Sequence, residues 1–408
     1  MPAILSINNY YYLRGGAEAV FLRHNALFEN MGWRVAPFAM QHLNNSDTPW
    51  SRFFVEEIEL GSYYSVWEKV RRVPKVIYSF EAQRKIGNLL DIFPADICHV
   101  HNIYHHISPS ILGVIRRRDV PIVLTLHDLK LACPAYNMLA NDGICERCKG
   151  GRIHNVLLHR CIKGSMALSA IVMAEGLLHR TLGTFERYVN RFVVPSRFYL
   201  EKMVEWGWNR EQFVHIPNAI DPSAFVPDYH PGRSFIYFGR LSREKGLTTL
   251  IKAASLAGVS LRIVGTGPDE WLLRKMSENI GSDVTFMGYL NGTALHDAIR
   301  SSKAVILPSE WYENAPMSVI EAYALGKPVI GANVGGIPEM IRHDESGFTF
   351  TSGSTEDLAE LLRKVSDLPA SRISEMGSNS RTWAEVEFSQ GRYRDRMLTL
   401  YRELGVSC

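Results

Sequence analysis

Long apolar runs are missing from this chain, and none approaches the roughly 20 residues that a membrane helix needs. Strong charge of either sign is missing too. Lys and Arg number 45 against 42 Asp and Glu, a net charge of +3. That balance does not point to nucleic acid as a partner. Cysteine is sparse, with six in 408 residues. The start, Met1 to Asn8, enters an apolar strand pattern at once and lacks the basic start and apolar core of a secretion leader. The chain is therefore expected to be cytoplasmic, with reduced thiols, and its cysteines free, metal-bound or reactive rather than paired. Asp-x-Asp occurs nowhere. A catalytic metal held by carboxylates is not expected, and Arg or Lys must neutralise any anionic leaving group. What is plentiful is apolar content, 46% of residues, enough for two domains or more at this length.

The first half opens as a βαβ unit. Ala3–Ile7 reads as a buried strand and 17–31 as an amphipathic helix, joined by a turn holding Arg14, Gly15 and Gly16. Glycines there let backbone N–H groups approach a phosphate, and the helix N-terminus adds partial positive charge. Such a glycine pair also serves any tight turn. A short strand is expected near 53–58. The run from Val66 to Lys75 carries Trp67, Lys69, Arg71, Arg72 and Lys75. It reads either as a peripheral contact with anionic lipid or as a solvated helix face. The strand from Ala95 ends in His99-Val-His101-Asn102, with both histidines on one face by alternation. Two histidines alone make no metal site. His101 and Asn102 are instead expected to line a cleft. The strand Pro121–Leu126 ends in His127-Asp128, and a polar residue at the carboxyl end of a parallel strand is placed to meet a ligand.

Cys133, Cys145, Cys148 and Cys161 stand apart, spaced C-x11-C-x2-C-x12-C within an insert at about 133–161. Four thiolates with one close pair can wrap a structural zinc. Reduced structural thiols fit the same spacing. A proline-rich stretch, 219–232, reads as a linker. Strand–helix alternation beyond it implies a parallel sheet with helices on both faces. Its loops hold Arg240, Lys245, Glu313 and Glu321. Two fixed cations suit a diphosphate, and two carboxylates suit sugar and ribose hydroxyls. Taken alone, the two glutamates are more readily explained as solvated helix acids. Together with the cations and His127 they suggest a nucleotide-sugar cleft.

Several motifs resemble those of retaining glycosyltransferase family 4, the group 1 glycosyltransferases, in their bacterial surface-polysaccharide form. They are Gly15-Gly-Ala-Glu18, Thr125-Leu-His-Asp128, Pro217-Asn-Ala-Ile-Asp221, Gly239-Arg-Leu-x-x-Glu-Lys-Gly246, Gly265-x-Gly-Pro268, Gly335-Gly-Ile-Pro-Glu339 and the pair Glu313-x7-Glu321. The resemblance covers most of the chain and is densest from Ile216 to Phe350. It implies the α/β GT-B fold, two Rossmann-like doubly wound domains facing across a cleft. The divisions would be 1–218 for the acceptor, 219–232 as linker, 233–380 for the nucleotide-sugar donor, and 381–408 as helices packing back towards the first domain.

Residue by residue, the resemblance implies that Gly16, with Gly15, gives backbone N–H to the donor diphosphate. His127 would line the donor sugar. Arg240 and Lys245 would hold the diphosphate, Glu313 the sugar hydroxyls and Glu321 the ribose. Asn218, Gly239, Gly265, Asn314, Ala315 and Pro316 would complete the donor site, the last three replacing a commoner glycine-containing run. Arg14, His101, Asn102 and Asp128 would face the acceptor. The implied donor is a UDP- or GDP-sugar. The implied acceptor is a glycan or lipid-linked glycan, reached from the cytoplasm or the cytoplasmic face of the inner membrane. A nucleotide-sugar epimerase of this fold and a non-catalytic sugar-nucleotide binder are the competing expectations.

Overall fold

The computed structural model describes residues 1–59 and 66–407, with backbone alone for 66–71. The chain divides into two compact units. The first holds Met1–Ala140, Cys145–Ile216 and Arg394–Cys408, and the second holds Asn141–Ile144 and Pro217–Tyr393.

The first unit is built on six parallel strands: β1 (Ala3–Ile7), β2 (Arg34–Phe38), β3 (Ile97–Val100), β4 (Ile122–Thr125), β5 (Arg191–Val194) and β6 (Phe213–His215). Their order across the sheet is β2-β1-β3-β4-β5-β6. The inner strands β1, β3 and β4 are buried along their whole length, which suits parallel strands covered by helices on both faces. Strand order reverses at β1, so the crevice beyond the carboxyl ends of β1 and β3 is the switch point where such sheets take ligands. Helix α1 (Gly16–Asn30) follows β1 and buries Val20, Phe21, His24, Asn25 and Phe28. The Asn25 side-chain oxygen accepts a 2.6 Å bond from the Ser6 hydroxyl of β1, which ties the helix to the strand within this core. Helix α2 (Met166–Thr181) is capped by Ser165.

The second unit repeats the plan with β7 (Phe235–Phe238), β8 (Leu261–Val264), β9 (Val284–Gly288), β10 (Val305–Leu307), β11 (Val329–Ala332) and β12 (Gly347–Phe350). Their order is β9-β8-β7-β10-β11-β12. The reversal lies between β7 and β10, so the loops after these two strands border its switch point. Helix α3 (Leu247–Ala257) follows β7 and α4 (Met317–Ala324) follows β10.

The last helix, α5 (Gln390–Glu403), carries the chain back into the first unit. There Tyr401 is fully buried. Its hydroxyl bonds His99 of β3 and approaches His24 of α1 at 3.2 Å. Its ring packs by Phe28 and Trp33.

One local expectation is not met. Instead of a strand at 53–58 there is a 3-10 turn, Pro49–Phe53, followed by a single bridge from Met40 to Val55. Proline at the first turn position favours the tight helix over extended pairing. The run around Arg72 forms the helix Val66–Ile77. The side chains of Trp67, Lys69 and Arg71 lie outside the described residues. Lys75 is held by Glu56 at 2.7 Å and by Glu81, and Arg72 by Glu56 at 3.2 Å, so these two cations are neutralised within the unit. Among the described residues no helix is long and apolar enough to cross a membrane.

Tyr401→Phe should lower stability by about 1–3 kcal/mol, because it strips a buried hydrogen-bond partner from His99. Urea denaturation of the two proteins checks this, and equal midpoints would show that the hydroxyl is idle.

Candidate functional site

In the second unit two loops lock together at the switch point. Gly246, between the β7 loop and α3, has φ +67°, and a Cβ there would stand 1.9 Å from the carbonyl oxygen of Pro308. Only glycine allows this approach and this dihedral. The contact brings Lys245 beside the loop after β10, where its ammonium meets Glu313 Oε1 at 2.6 Å. Ser309 donates to the same oxygen at 2.8 Å. From the other side Gly335, φ +62°, lies so close that a Cβ would be 2.5 Å from the Glu313 carbonyl oxygen. Gly336 donates its N–H to that carbonyl at 2.8 Å. Glu313 is thus pinned by both backbone and carboxylate. Burial pushes its carboxyl up, but the Lys245 ammonium outweighs that and holds it below the ordinary value.

The remaining donor-loop residues gather around this pair. The indole of Trp311 lies 5.2 Å beneath the Lys245 ammonium. Asn218, buried, donates to the Ala315 carbonyl at 3.0 Å. Pro316 is the residue before the first turn of α4, and Glu321 is half-buried on that helix. Gly239 and Gly265 pack backbone to backbone, a Cβ on Gly265 falling 1.9 Å from the Gly239 carbonyl. Arg240 differs from these. Its carbonyl accepts from the buried Tyr237 hydroxyl at 2.8 Å, while its side chain is exposed and its guanidinium has no partner among the described residues. A cation left free among the described residues, on the same strand-end loop as Lys245 of the Lys245–Glu313 pair, is equipped to take a doubly charged anion.

In the first unit the switch point holds Asn8, His101 and Asn102. Asn8 accepts the Asn102 N–H at 3.2 Å, and the His101 N–H reaches the end of β1 at 2.8 Å. Gly15 and Gly16 open α1. Gly15 provides no side-chain cap, and no atom lies within 4 Å of a Cβ placed on Gly16. Neither has positive φ, so the local backbone does not demand glycine, and the space over Gly16 is available to a ligand. Arg14 lies 4.5 Å over the Tyr10 ring.

The histidines form a row. His99 faces Val123 in register, and alternation past the strand ends carries His101 and His127 to the same face. His101 Nδ1 and His127 Nε2 are 2.8 Å apart, and both rings lie nearly parallel to their neighbours. Burial pushes the whole row down. His24 falls to about 3 and His127 to about 4, and His99 and His101 also lie well below the ordinary value. All four are neutral at neutral pH. Asp128 is pushed up to about 6 by burial, with its Oδ1 accepting the Lys130 N–H at 2.9 Å.

Comparison with known proteins follows from this geometry. A family model described as Glycosyltransferase Family 4 matches residues 14–224, more than half of the chain, and one described as Glycosyl transferases group 1 matches 227–383. The chain belongs to glycosyltransferase family 4. A D-inositol 3-phosphate glycosyltransferase of Rhodococcus erythropolis is 33% identical over 192 residues, 43% of this chain and 43% of that protein. A GDP-mannose-dependent monoacylated alpha-(1-6)-phosphatidylinositol monomannoside mannosyltransferase of Corynebacterium glutamicum is 27% identical over 219 residues, 48% of this chain and 57% of that one. The matched region thus spans about half the length of these relatives. Among solved structures, the sucrose-phosphate synthase of Thermosynechococcus elongatus superposes with TM-score 0.70 at 18% identity, covering 99% of each chain. Anabaena HepE in complex with UDP and glucose gives 0.67 at 17%, covering 99% of this chain and 100% of that one. The fold is GT-B.

Ser309, with the Gly335-Gly336 pair of the sequence motif, clamps Glu313, and His24 and Tyr401, which the sequence did not single out, stand with His99 behind the histidine row. A cavity of about 390 Å3 in the first unit is lined by Tyr104, Lys130, Glu175, Phe185, Trp206 and Trp208, among others. There Glu175 binds His105 at 2.6 Å and Lys130 at 3.2 Å. The Trp206-Gly-Trp208 pattern was the available signal for it. The zinc expectation is not met. Cys133, Cys145, Cys148 and Cys161 are close enough for their charges to interact, yet no group of three or more ligands among the described residues is arranged to hold a metal ion. Without a metal, burial pushes the Cys148 thiol up to about 12 and the Cys133 thiol up as well.

The histidine row makes acid stability predictable. An unfolded imidazole takes a proton below about 6.5, whereas the folded ones resist until about 4 or lower. Stability should fall as pH drops through that window, by up to about 1.4 kcal/mol per pH unit for each of the four imidazoles. Asp128, Glu18 and Glu29, whose carboxyls burial pushes up, act in the opposite sense, whereas the lowered His105, His106 and His179 add to the loss. Urea titrations at pH 7.5 and 5.5 are expected to show a clear loss, and a flat profile would contradict the neutral row.

Proposed function

We propose that this chain is a retaining glycosyltransferase that moves a sugar from a nucleoside-diphosphate sugar to a hydroxyl acceptor, a lipid-linked glycan of surface-polysaccharide assembly. The observation that carries the donor reading is the part-buried Lys245–Glu313 pair, 2.6 Å apart at a sheet switch point, with Arg240, which has no side-chain partner among the described residues, on the same strand-end loop as Lys245. We assign the donor to 233–380 and the acceptor to 1–218. The relatives support the substrate classes. HepE was crystallised with UDP and glucose, the Corynebacterium protein is named for a GDP-mannose donor and an acylated lipid acceptor, and another structural neighbour is a lipopolysaccharide outer core galactosyltransferase.

In this reading Arg240 and Lys245 hold the two phosphates and stabilise the charge that grows as the glycosidic bond breaks. Glu313, kept ionised by Lys245, accepts from sugar hydroxyls, and Glu321 accepts from the ribose. His127 lies against the donor sugar. The acceptor hydroxyl attacks from the face that the diphosphate leaves, so configuration is retained without a protein nucleophile. The chain's contribution is positioning and electrostatics.

The test begins with a thermal-shift screen of UDP- and GDP-sugars, followed by product analysis with the best donor. Lys245→Ala would leave Glu313 buried without its counter-ion, at a cost of about 3–5 kcal/mol. The double variant Lys245→Met, Glu313→Gln removes both charges and keeps the packing. It should fold and lose more than about 100-fold in turnover. Full activity in the folded double variant would refute the donor assignment. Donor binding without transfer would favour the non-catalytic reading, and an inverted sugar nucleotide as product the epimerase.

A further inference from the structure

Two imidazole nitrogens 2.8 Å apart, His101 Nδ1 and His127 Nε2, share one proton. Two lone pairs would repel and two N–H groups would clash, so one ring donates and the other accepts. The direction follows from the far side of His101. Its Nε2 is buried with no hydrogen-bond partner among the described residues. A proton on that nitrogen would be an orphaned buried donor, which folded proteins rarely tolerate, and a bare lone pair costs less. His101 therefore carries its proton on Nδ1 and donates it to His127. That leaves His127 protonated on Nδ1, and this nitrogen has no protein partner among the described residues in a ring that is half-exposed.

The ring of His101 has little room to turn. Phe21 meets it edge-on at 5.2 Å, and His99 lies almost parallel behind it at 4.8 Å. His99 is itself held at both nitrogens, by the Tyr401 hydroxyl and by Thr125 Oγ1 at 2.7 Å. The backbone N–H of His101 is bonded to Ile7. The donor is thus fixed in rotamer by packing and in tautomer by burial.

We propose that His101 is a positioning residue that holds His127 as a neutral Nδ1–H donor, aimed at an oxygen acceptor of the bound substrate. The role in transfer rests on the glycosyltransferase reading above, whereas the tautomer does not. One chemical consequence is specific. An Nδ1 that already bears a proton has no lone pair to accept another, so His127 cannot act through that atom as a general base on the acceptor hydroxyl. It can only donate a hydrogen bond there, for example to a sugar hydroxyl oxygen.

Long-range proton–nitrogen NMR of histidine-15N protein reads the tautomer directly, with the His127→Gln spectrum identifying the signal. The expected result is His127 protonated at Nδ1 and bare at Nε2. His101→Phe keeps the packed ring and removes the donor. His127 should then move towards the Nε2–H form, and turnover should fall by at least about tenfold while KM for the donor changes little. His101→Asn places an amide near the lost Nδ1 and should restore both. An Nε2–H form of His127 in the native protein overturns the proposal, even if His101→Phe fails to fold. An unchanged tautomer or unchanged turnover in a folded His101→Phe overturns it as well. The expected tautomer in a protein that transfers no sugar would refute the glycosyltransferase reading and leave the hydrogen-bond assignment standing.

Discussion

A carboxylate taken out of water needs a charge to answer it, and in the second unit that answer is Lys245 at 2.6 Å from Glu313. Much of the local backbone serves this pair. Gly246 lets the lysine loop touch Pro308, and Gly335 and Gly336 close on the Glu313 backbone. Such a pair is weak evidence for stability, since apolar residues of equal volume fill the same space at no desolvation cost. Its retention is better explained by what it holds ready. The carboxylate stays ionised, and the lysine is held on the same loop as an arginine that has no side-chain partner among the described residues.

The first unit solves a related problem without charge. Its polar row of His24, His99, His101 and His127 is kept neutral by burial, and hydrogen bonds to Tyr401 and Thr125 satisfy its inner part. Neutral rings tolerate a low dielectric better than ions do. Tyr401 comes from the last helix of the chain, so the end of the sequence completes the packing behind residues from its first third.

The fold was legible because its signals are local. Short buried runs such as Ala304–Leu307, glycine-bearing turns and amphipathic stretches announce βα units wherever they recur. The donor-loop residues were legible for a similar reason: Arg240, Lys245 and Glu313 each lie just past a strand, where parallel sheets expose their polar ends. What could not be read was partnership across sequence distance. Nothing in the neighbourhood of Lys245 announces Glu313, 68 positions away, as the partner of its ammonium. Nothing near His99 announces Tyr401, 302 positions on. The cysteine spacing misled because four thiols can share a neighbourhood without converging on one point. The expected strand at 53–58 failed because a proline-led turn outweighed β propensity.

The central claim is that the strand-end loops of the second unit bind a nucleoside diphosphate through Arg240 and its neighbours. Calorimetric titration of UDP and of GDP into the native protein and into Arg240→Ala tests it most directly. The Arg240 side chain is exposed and has no partner among the described residues, so the variant should fold as the native protein does. The account predicts one-to-one binding of one of the two nucleotides, weakened by about tenfold or more in the variant, a difference of about 1.4 kcal/mol. No binding of either nucleotide to the native protein, or equal binding by both proteins, would contradict it.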